Sequence, residues 1–193
     1  MEHKKLAELS LGELWQLFPI ILTAHQDCWA DWYKEETELL KEKLSYVERI
    51  SHIGSTAIKE IWAKPIIDIL VEISKEEKLS NVKGIIERCG YICMAENNSR
   101  INFNKGYTLQ GFAERVFHLH LRYEGDNDEL YFRDYLQANA DVAKEYECLK
   151  FALWKQYEHD RDMYTFHKGD FIKQCTQKGK LLFIDKYDNK RFL

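Results

Sequence analysis

The chain has 193 residues with 45% hydrophobic and 13% aromatic content, enough for one sizeable core. A formal net charge of −4, with 31% charged residues, suits a soluble domain and argues against general nucleic-acid binding, which needs clustered Lys and Arg. No apolar run approaches the roughly 20 residues that span a bilayer, and the basic start Met1-Glu-His-Lys-Lys5 leads into no signal-peptide core, so a cytoplasmic location away from membranes is expected.

Ser10-Leu-Gly-Glu13 reads as a capping box opening a short helix. Phe18 to Thr23 is apolar, carries Pro19 near its start, and is predicted as an edge strand. Asp27 is placed to cap a helix from about Cys28 to Leu44, in which Trp29, Trp32, Tyr33, Leu40 and Leu44 recur at helical steps and form one packing face. Two strands, Tyr46 to Ile53 and Pro65 to Ile73, flank Gly54-Ser55-Thr56. A helix is predicted over Lys75 to Arg88, with Gly90 as its stop. Strands follow at Tyr91 to Met94, Ile101 to Lys105 and Arg115 to Arg122, and the turn cluster Glu124-Gly-Asp-Asn-Asp128 closes this part. Beyond it, helices are predicted over about Glu129 to Ala138, Val142 to Tyr157 and Arg161 to Lys173.

The stretch Lys173 to Leu193 carries six cations, Lys173, Lys178, Lys180, Lys186, Lys190 and Arg191, against Asp185 and Asp188. It reads as a partly ordered, solvated tail. The cysteines, Cys28, Cys89, Cys93, Cys148 and Cys175, are odd in number and irregular in spacing, which predicts reduced thiols. The pattern is an α/β core over residues 1–128, followed by C-terminal helices and a basic tail over residues 129–193, packed together as one α+β unit.

The stretch richest in chemistry is Glu48-Arg-Ile-Ser-His-Ile-Gly-Ser-Thr-Ala57 with Lys64-Pro-Ile-Ile-Asp-Ile-Leu-Val71. A strand ending in Gly54-Ser55 and opening into a helix offers backbone amides and the hydroxyls of Ser55 and Thr56 to a phosphate. Asp68 sits among β-branched residues, where an unpaired carboxylate is costly, so it is expected to face a polar site, a cation or a metal ion. Alternation puts Leu70 and Glu72 on the face of Asp68, with Glu72 about 7 Å along the strand. His118 and His120 share one side of a later strand, a spacing that suits a shared metal or phosphate. With Asp68 they would make a mixed His/carboxylate set favouring Mn or Zn over Mg. Lys64, Arg133 and Lys150 are the candidate phosphate-binding cations, and Lys168 is a further cation of interest; a surface ion pair is the alternative for each.

Gly-Ser followed by an acidic strand resembles the nucleotidyltransferase superfamily, in which two carboxylates on that strand hold divalent metals. The wider pattern, His52-Ile-Gly-Ser-Thr-Ala57, Ala63-Lys-Pro-Ile-Ile-Asp-Ile69, Phe117-His-Leu-His-Leu121 and Phe132-Arg-Asp-Tyr-Leu136, is similar to the GrpB family from about residue 13 to Phe171. The resemblance implies a nucleotidyltransferase-like mixed sheet flanked by helices, with a C-terminal helical layer, and no particular reaction. A related domain attached to some dephospho-coenzyme A kinases has been regarded as a folding accessory. Two departures stand out. Ile58-Lys-Glu-Ile61 replaces the family's usual Val-Pro-Gly-Leu, and Leu70 occupies the place of the second metal carboxylate.

Three functions stay open on this reading. The first is metal-dependent nucleotidyl transfer, with Asp68, His118 and His120 as catalytic groups, Asp68, Glu72, His118 and His120 as ligands for Mn, Zn or Mg, and Gly54, Ser55, Thr56, Lys64, Arg133 and Lys150 on the phosphates. The second is a non-catalytic module for a nucleotide or a coenzyme A-like ligand. The third is a folding accessory.

Overall fold

A computed structural model describes residues 6–187. Helices α1 (Leu11–Leu17) and α2 (Cys28–Lys43) precede strands β1 (Val47–Ile53) and β2 (Ile67–Ile73). Helix α3 (Leu79–Arg88) leads into β3 (Ile92–Glu96), β4 (Arg100–Thr108) and β5 (Gly111–Tyr123). Four helices complete the described chain: α4 (Asp128–Ala138), α5 (Ala140–Tyr157), α6 (Arg161–Phe166) and α7 (Gly169–Leu182). The strands form one mixed sheet in the order β1-β2-β5-β4-β3. β2 and β5 run parallel, and the other neighbours are antiparallel.

Strand alternation builds the two faces of this sheet. Ile67, Ile69, Val71 and Ile73 of β2, with Phe117, Leu119 and Leu121 of β5, turn to one side and meet Trp29 and Leu40 of α2 and Val82 and Ile86 of α3. Each such fully buried side chain contributes about 1.5–3 kcal/mol by leaving water. Lys105 of β4 reaches Glu36 of α2 at 2.8 Å and ties that helix to the sheet. The alternate residues, Asp68, Leu70 and Glu72 of β2 and His118, His120 and Arg122 of β5, therefore face the opposite side, where the C-terminal helices pack. There Ile53, Leu70 and Leu130 cluster, and Ile58 and Ile61 pack with Phe132, Leu136, Tyr146 and Cys175.

Local expectations differ from the structure at several points. Phe18 to Thr23 is not a strand: Pro19 lacks an N–H, Ile20 N donates to Glu158 O, and Thr23 alone pairs with Ala63. Asp27 gives no side-chain cap, because its backbone is already helical (φ −62°, ψ −30°). By contrast, the Ser10–Glu13 capping box is fully formed. The helix expected from Arg161 to Lys173 breaks between Phe166 and Gly169, and α7 then runs on to Leu182, so the first half of the basic tail is helical. Further along, Lys186 donates to Asp134 at 2.6 Å; Asp188, Lys190 and Arg191 lie outside the described residues. All five cysteines are free thiols, and among the described residues no helix is long and apolar enough to cross a membrane.

Candidate functional site

β1 ends at Ile53, opposite Asp68 in the β1–β2 register. Gly54 then takes φ +69°, a conformation that costs most residues strain, and turns the chain into a single 3₁₀ turn, Ser55–Ala57, rather than the longer helix expected. The lack of a side chain is required as well. A Cβ on Gly54 would overlap Oδ2 of Asp68. The turn and the carboxylate thus meet at one edge of a cavity of about 700 Å³, lined by Gly54, Ser55, Lys64, Asp68, His118 and His120 on the sheet side and by Lys150, Tyr164 and Lys168 on the helical side.

The parallel register sets Asp68 directly across from His118, and Leu70 across from His120. His118 Nδ1 lies 3.2 Å from Asp68 Oδ1, and His120 Nε2 lies 3.7 Å from the same oxygen. Burial alone would raise the Asp68 carboxyl; the two imidazoles beside it, with the hydrogen bond from His118 foremost, overcome this and hold the carboxylate ionised, well below the usual range. Burial lowers His118, with Asp68 opposing, so the imidazole is neutral near pH 7 and carries one N–H. That N–H goes to Asp68. The other nitrogen, Nε2, accepts from the Tyr107 hydroxyl at 2.8 Å, and Tyr107 in turn accepts from Arg161 Nη2 at 3.0 Å. His120 Nδ1 lies 3.1 Å from Asn102 Oδ1 and 3.3 Å from Arg122 Nη2, and Arg122 also donates to Asn102 Oδ1 at 2.8 Å.

Tyr107 reaches His118 because of Gly106. Lys105 belongs to the α2 side of β4, so strict alternation would send Tyr107 there too. The register shifts between Lys105 and Tyr107, Gly106 takes φ +90°, and Tyr107 arrives on the histidine face. A glycine inside a strand pattern was the available signal for this bulge.

Three lysines supply the opposite charge. The ammonium groups of Lys64 and Lys168 sit over one Tyr164 ring, 5.3 and 4.2 Å from its centroid. Lys150 lies 5.0 Å from the Tyr146 centroid and donates to the carbonyl of Trp62. Burial, reinforced by Lys168 and Arg161, pushes Lys64 down to about 7. Burial with Lys168 nearby brings Lys150 to about 7. Burial lowers Lys168 to about 8 despite the attraction of Asp68. Among the described residues, no carboxylate lies within ion-pairing distance of any of the three.

Other expected site residues are spent elsewhere. Thr56 lines the cavity, but its hydroxyl donates to Ile66 O at 3.1 Å and accepts from His52 Nε2 at 3.0 Å, which leaves no proton for a phosphate. Arg133 does not line the cavity: it donates to His52 O, to Asp134 and to the Tyr187 hydroxyl, each at 2.8 Å, and braces β1 against α4 and Tyr187. Glu72 is buried away from the cavity, accepting from Asn127 at 2.9 Å and Gly125 N at 3.2 Å beside Arg49 at 3.5 Å. It does not replace a second metal carboxylate. Position 70 cannot, since Leu70 is fully buried against Ile53 and Leu130. Among the described residues, no three His, Cys, Asp or Glu side chains are arranged to hold a metal ion. The residues present do not fit a two-metal site.

A mixed five-stranded sheet with a Gly-Ser turn after one strand, facing an aspartate on the next, and packed by C-terminal helices defines a mixed α/β protein. The chain belongs to the GrpB family, whose pattern matches residues 19–178. It is 36% identical over 168 residues to the glutamate-rich protein GrpB of Alkalihalophilus pseudofirmus, covering 82% of this chain and 95% of that one. It is 32% identical over 186 residues to the UPF0157 protein YqkA of Bacillus subtilis, covering 93% of this chain but 53% of that longer relative, so it spans about half of YqkA. The crystal structure of the conserved protein GrpB from Enterococcus faecalis superposes with a TM-score of 0.73 at 30% identity, covering 84% of this chain and 99% of that one.

Proposed function

We propose that this chain binds a phosphate-bearing small molecule, a nucleotide or a coenzyme A-like compound, in the cavity between the sheet and helices α5 to α7. One observation carries the reading: Lys64, Lys150 and Lys168 converge on the cavity without carboxylate partners. Gathering desolvated like charges is unfavourable, and an anion bound among them relieves it. Ser55 also lines the cavity, its hydroxyl hydrogen-bonded to Tyr146. The free thiols agree with a reducing, cytoplasmic setting, where such ligands are abundant.

Binding is favoured over transfer because of how Asp68 is held. A carboxylate kept so firmly ionised is a weak general base, better suited to accepting a hydrogen bond from a ligand hydroxyl than to removing its proton. A thermal-shift screen of nucleotides and coenzyme A derivatives, with and without Mg, Mn and Zn, tests the reading. A ligand at 100 times its Kd adds about 2.7 kcal/mol of stability. Failure of every phosphate compound to shift the transition rejects it.

A further inference from the structure

Building on the phosphate-ligand reading, the geometry points to a pocket that takes an oligophosphate free of divalent metal, the ammonium groups of Lys64, Lys150 and Lys168 supplying the positive charge that two metal ions supply in a two-metal transferase. Two independent sets of contacts lead there, one acidic and one basic.

On the acidic side, most of the groups that could widen Asp68 into a metal site are already committed. Oδ1 accepts from His118 and faces His120, while Oδ2 lies against the turn at Gly54. Both nitrogens of His118 are taken, one by Asp68 and one by Tyr107. Leu130 of α4 covers Leu70, where a second carboxylate would stand, and Glu72 is tied to Asn127 and Gly125. An ion entering here would have to break that network before gaining its ligands.

On the basic side, the cations come from three separate elements and keep free donors. Lys64 precedes β2, Lys150 lies on α5, and Lys168 stands in the break between α6 and α7. An ammonium group has three N–H donors. Lys150 gives one to Trp62 O and keeps two. Lys64 and Lys168 share the face-on field of Tyr164, which holds them near each other without neutralising them. Three ammonium groups lining one cavity exceed what a single phosphate needs and match a chain of two or three. Chelation by magnesium would remove two negative charges from such a chain and compete with the lysines.

Calorimetric titration with inorganic tripolyphosphate and with ATP, first in EDTA and then in excess MgCl2 or MnCl2, tests this. The expected result is binding in EDTA that is as tight as, or tighter than, binding with metal. Lys64→Met and Lys168→Met should each weaken it by roughly tenfold or more, the usual loss for a charge-assisted hydrogen bond. Circular dichroism checks that these variants fold; Lys64→Gln and Lys168→Gln replace any that do not. Binding that requires Mg or Mn would overturn the metal-free inference and leave the phosphate reading standing. Binding in EDTA that ignores both lysine substitutions would overturn the inference by putting the anion elsewhere. Absence of binding by either probe, with or without metal, would overturn the phosphate reading itself.

Discussion

The Asp68 carboxylate fills the space that a side chain on Gly54 would need. The two residues are 14 positions apart in sequence and are brought together by the antiparallel β1–β2 pair, in which Ile53 stands opposite Asp68. Gly54→Ala therefore carries two penalties, a positive φ and a clash with Oδ2. The expected loss of stability is about 1–3 kcal/mol by urea denaturation. Asp68→Gly removes the clash and leaves the φ strain, so Gly54→Ala should cost less in that background. Equal cost in both backgrounds would show that the two sites do not couple.

Leu70→Asp looks from sequence alone like the repair of a metal site. The structure predicts the opposite. Leu70 is fully buried between Ile53 and Leu130, and a charge there would have no partner. The substitution should destabilise the fold by about 3–5 kcal/mol, the usual scale for an uncompensated buried charge, without raising affinity for Mg. Denaturant midpoints and a Mg titration of the soluble variant check both halves.

Tyr107→Phe removes the hydroxyl that donates to His118 Nε2. That hydrogen bond favours the neutral imidazole, which burial already lowers below its ordinary range. Its loss should raise the His118 pKa, visible in an NMR titration of the imidazole protons, and cost about 1–2 kcal/mol of stability from the unsatisfied nitrogen. An unchanged titration would break the proposed Arg161–Tyr107–His118–Asp68 order of donors.

The lysine cluster also sets a pH dependence. Lys64 and Lys150 lie at about 7 and Lys168 at about 8 in the folded protein, against about 10.4 in an unfolded chain. In the window between, the unfolded chain holds more protons, so stability of the ligand-free protein rises with pH, and the penalty is fully present below about pH 7. Lys64→Met and Lys168→Met should each flatten this rise between about pH 7 and 8.5, before cysteine titration intrudes. Urea midpoints across that range measure it, and slopes equal to the wild type's would count against the cluster.

The two-residue period in β2 and β5 made the sheet readable in advance, because apolar and polar residues alternate there apart from Leu70 and Val116. Asp68, His118 and His120 were legible for the same reason, since their side of the strand was fixed once the strand was. Thr56, Arg133 and Glu72 were not. Their partners, Ile66 O, His52 O and Asn127, come from other parts of the chain, and a sequence shows donors and acceptors without showing which are already satisfied. Leu70 was visible as a departure, but Leu130, the reason a carboxylate does not belong there, lies 60 residues away. The break between α6 and α7 escaped because helical spacing continues through it.

The parallel pairing of β2 with β5 carries a consequence for how the site comes into being. Parallel neighbours need a long return, and here α3, β3 and β4 all lie between them. A chain emerging from the ribosome makes the glycine turn and Asp68 long before either histidine exists. The lysines on α5 and before α7 arrive later still. Closing such distant partners is slow, so the pocket should be among the last features to mature during folding. Until β5 inserts beside β2, Asp68 lacks its imidazole neighbours and the strand that carries it has an open edge, the interval in which a nascent chain is most exposed to wrong pairing.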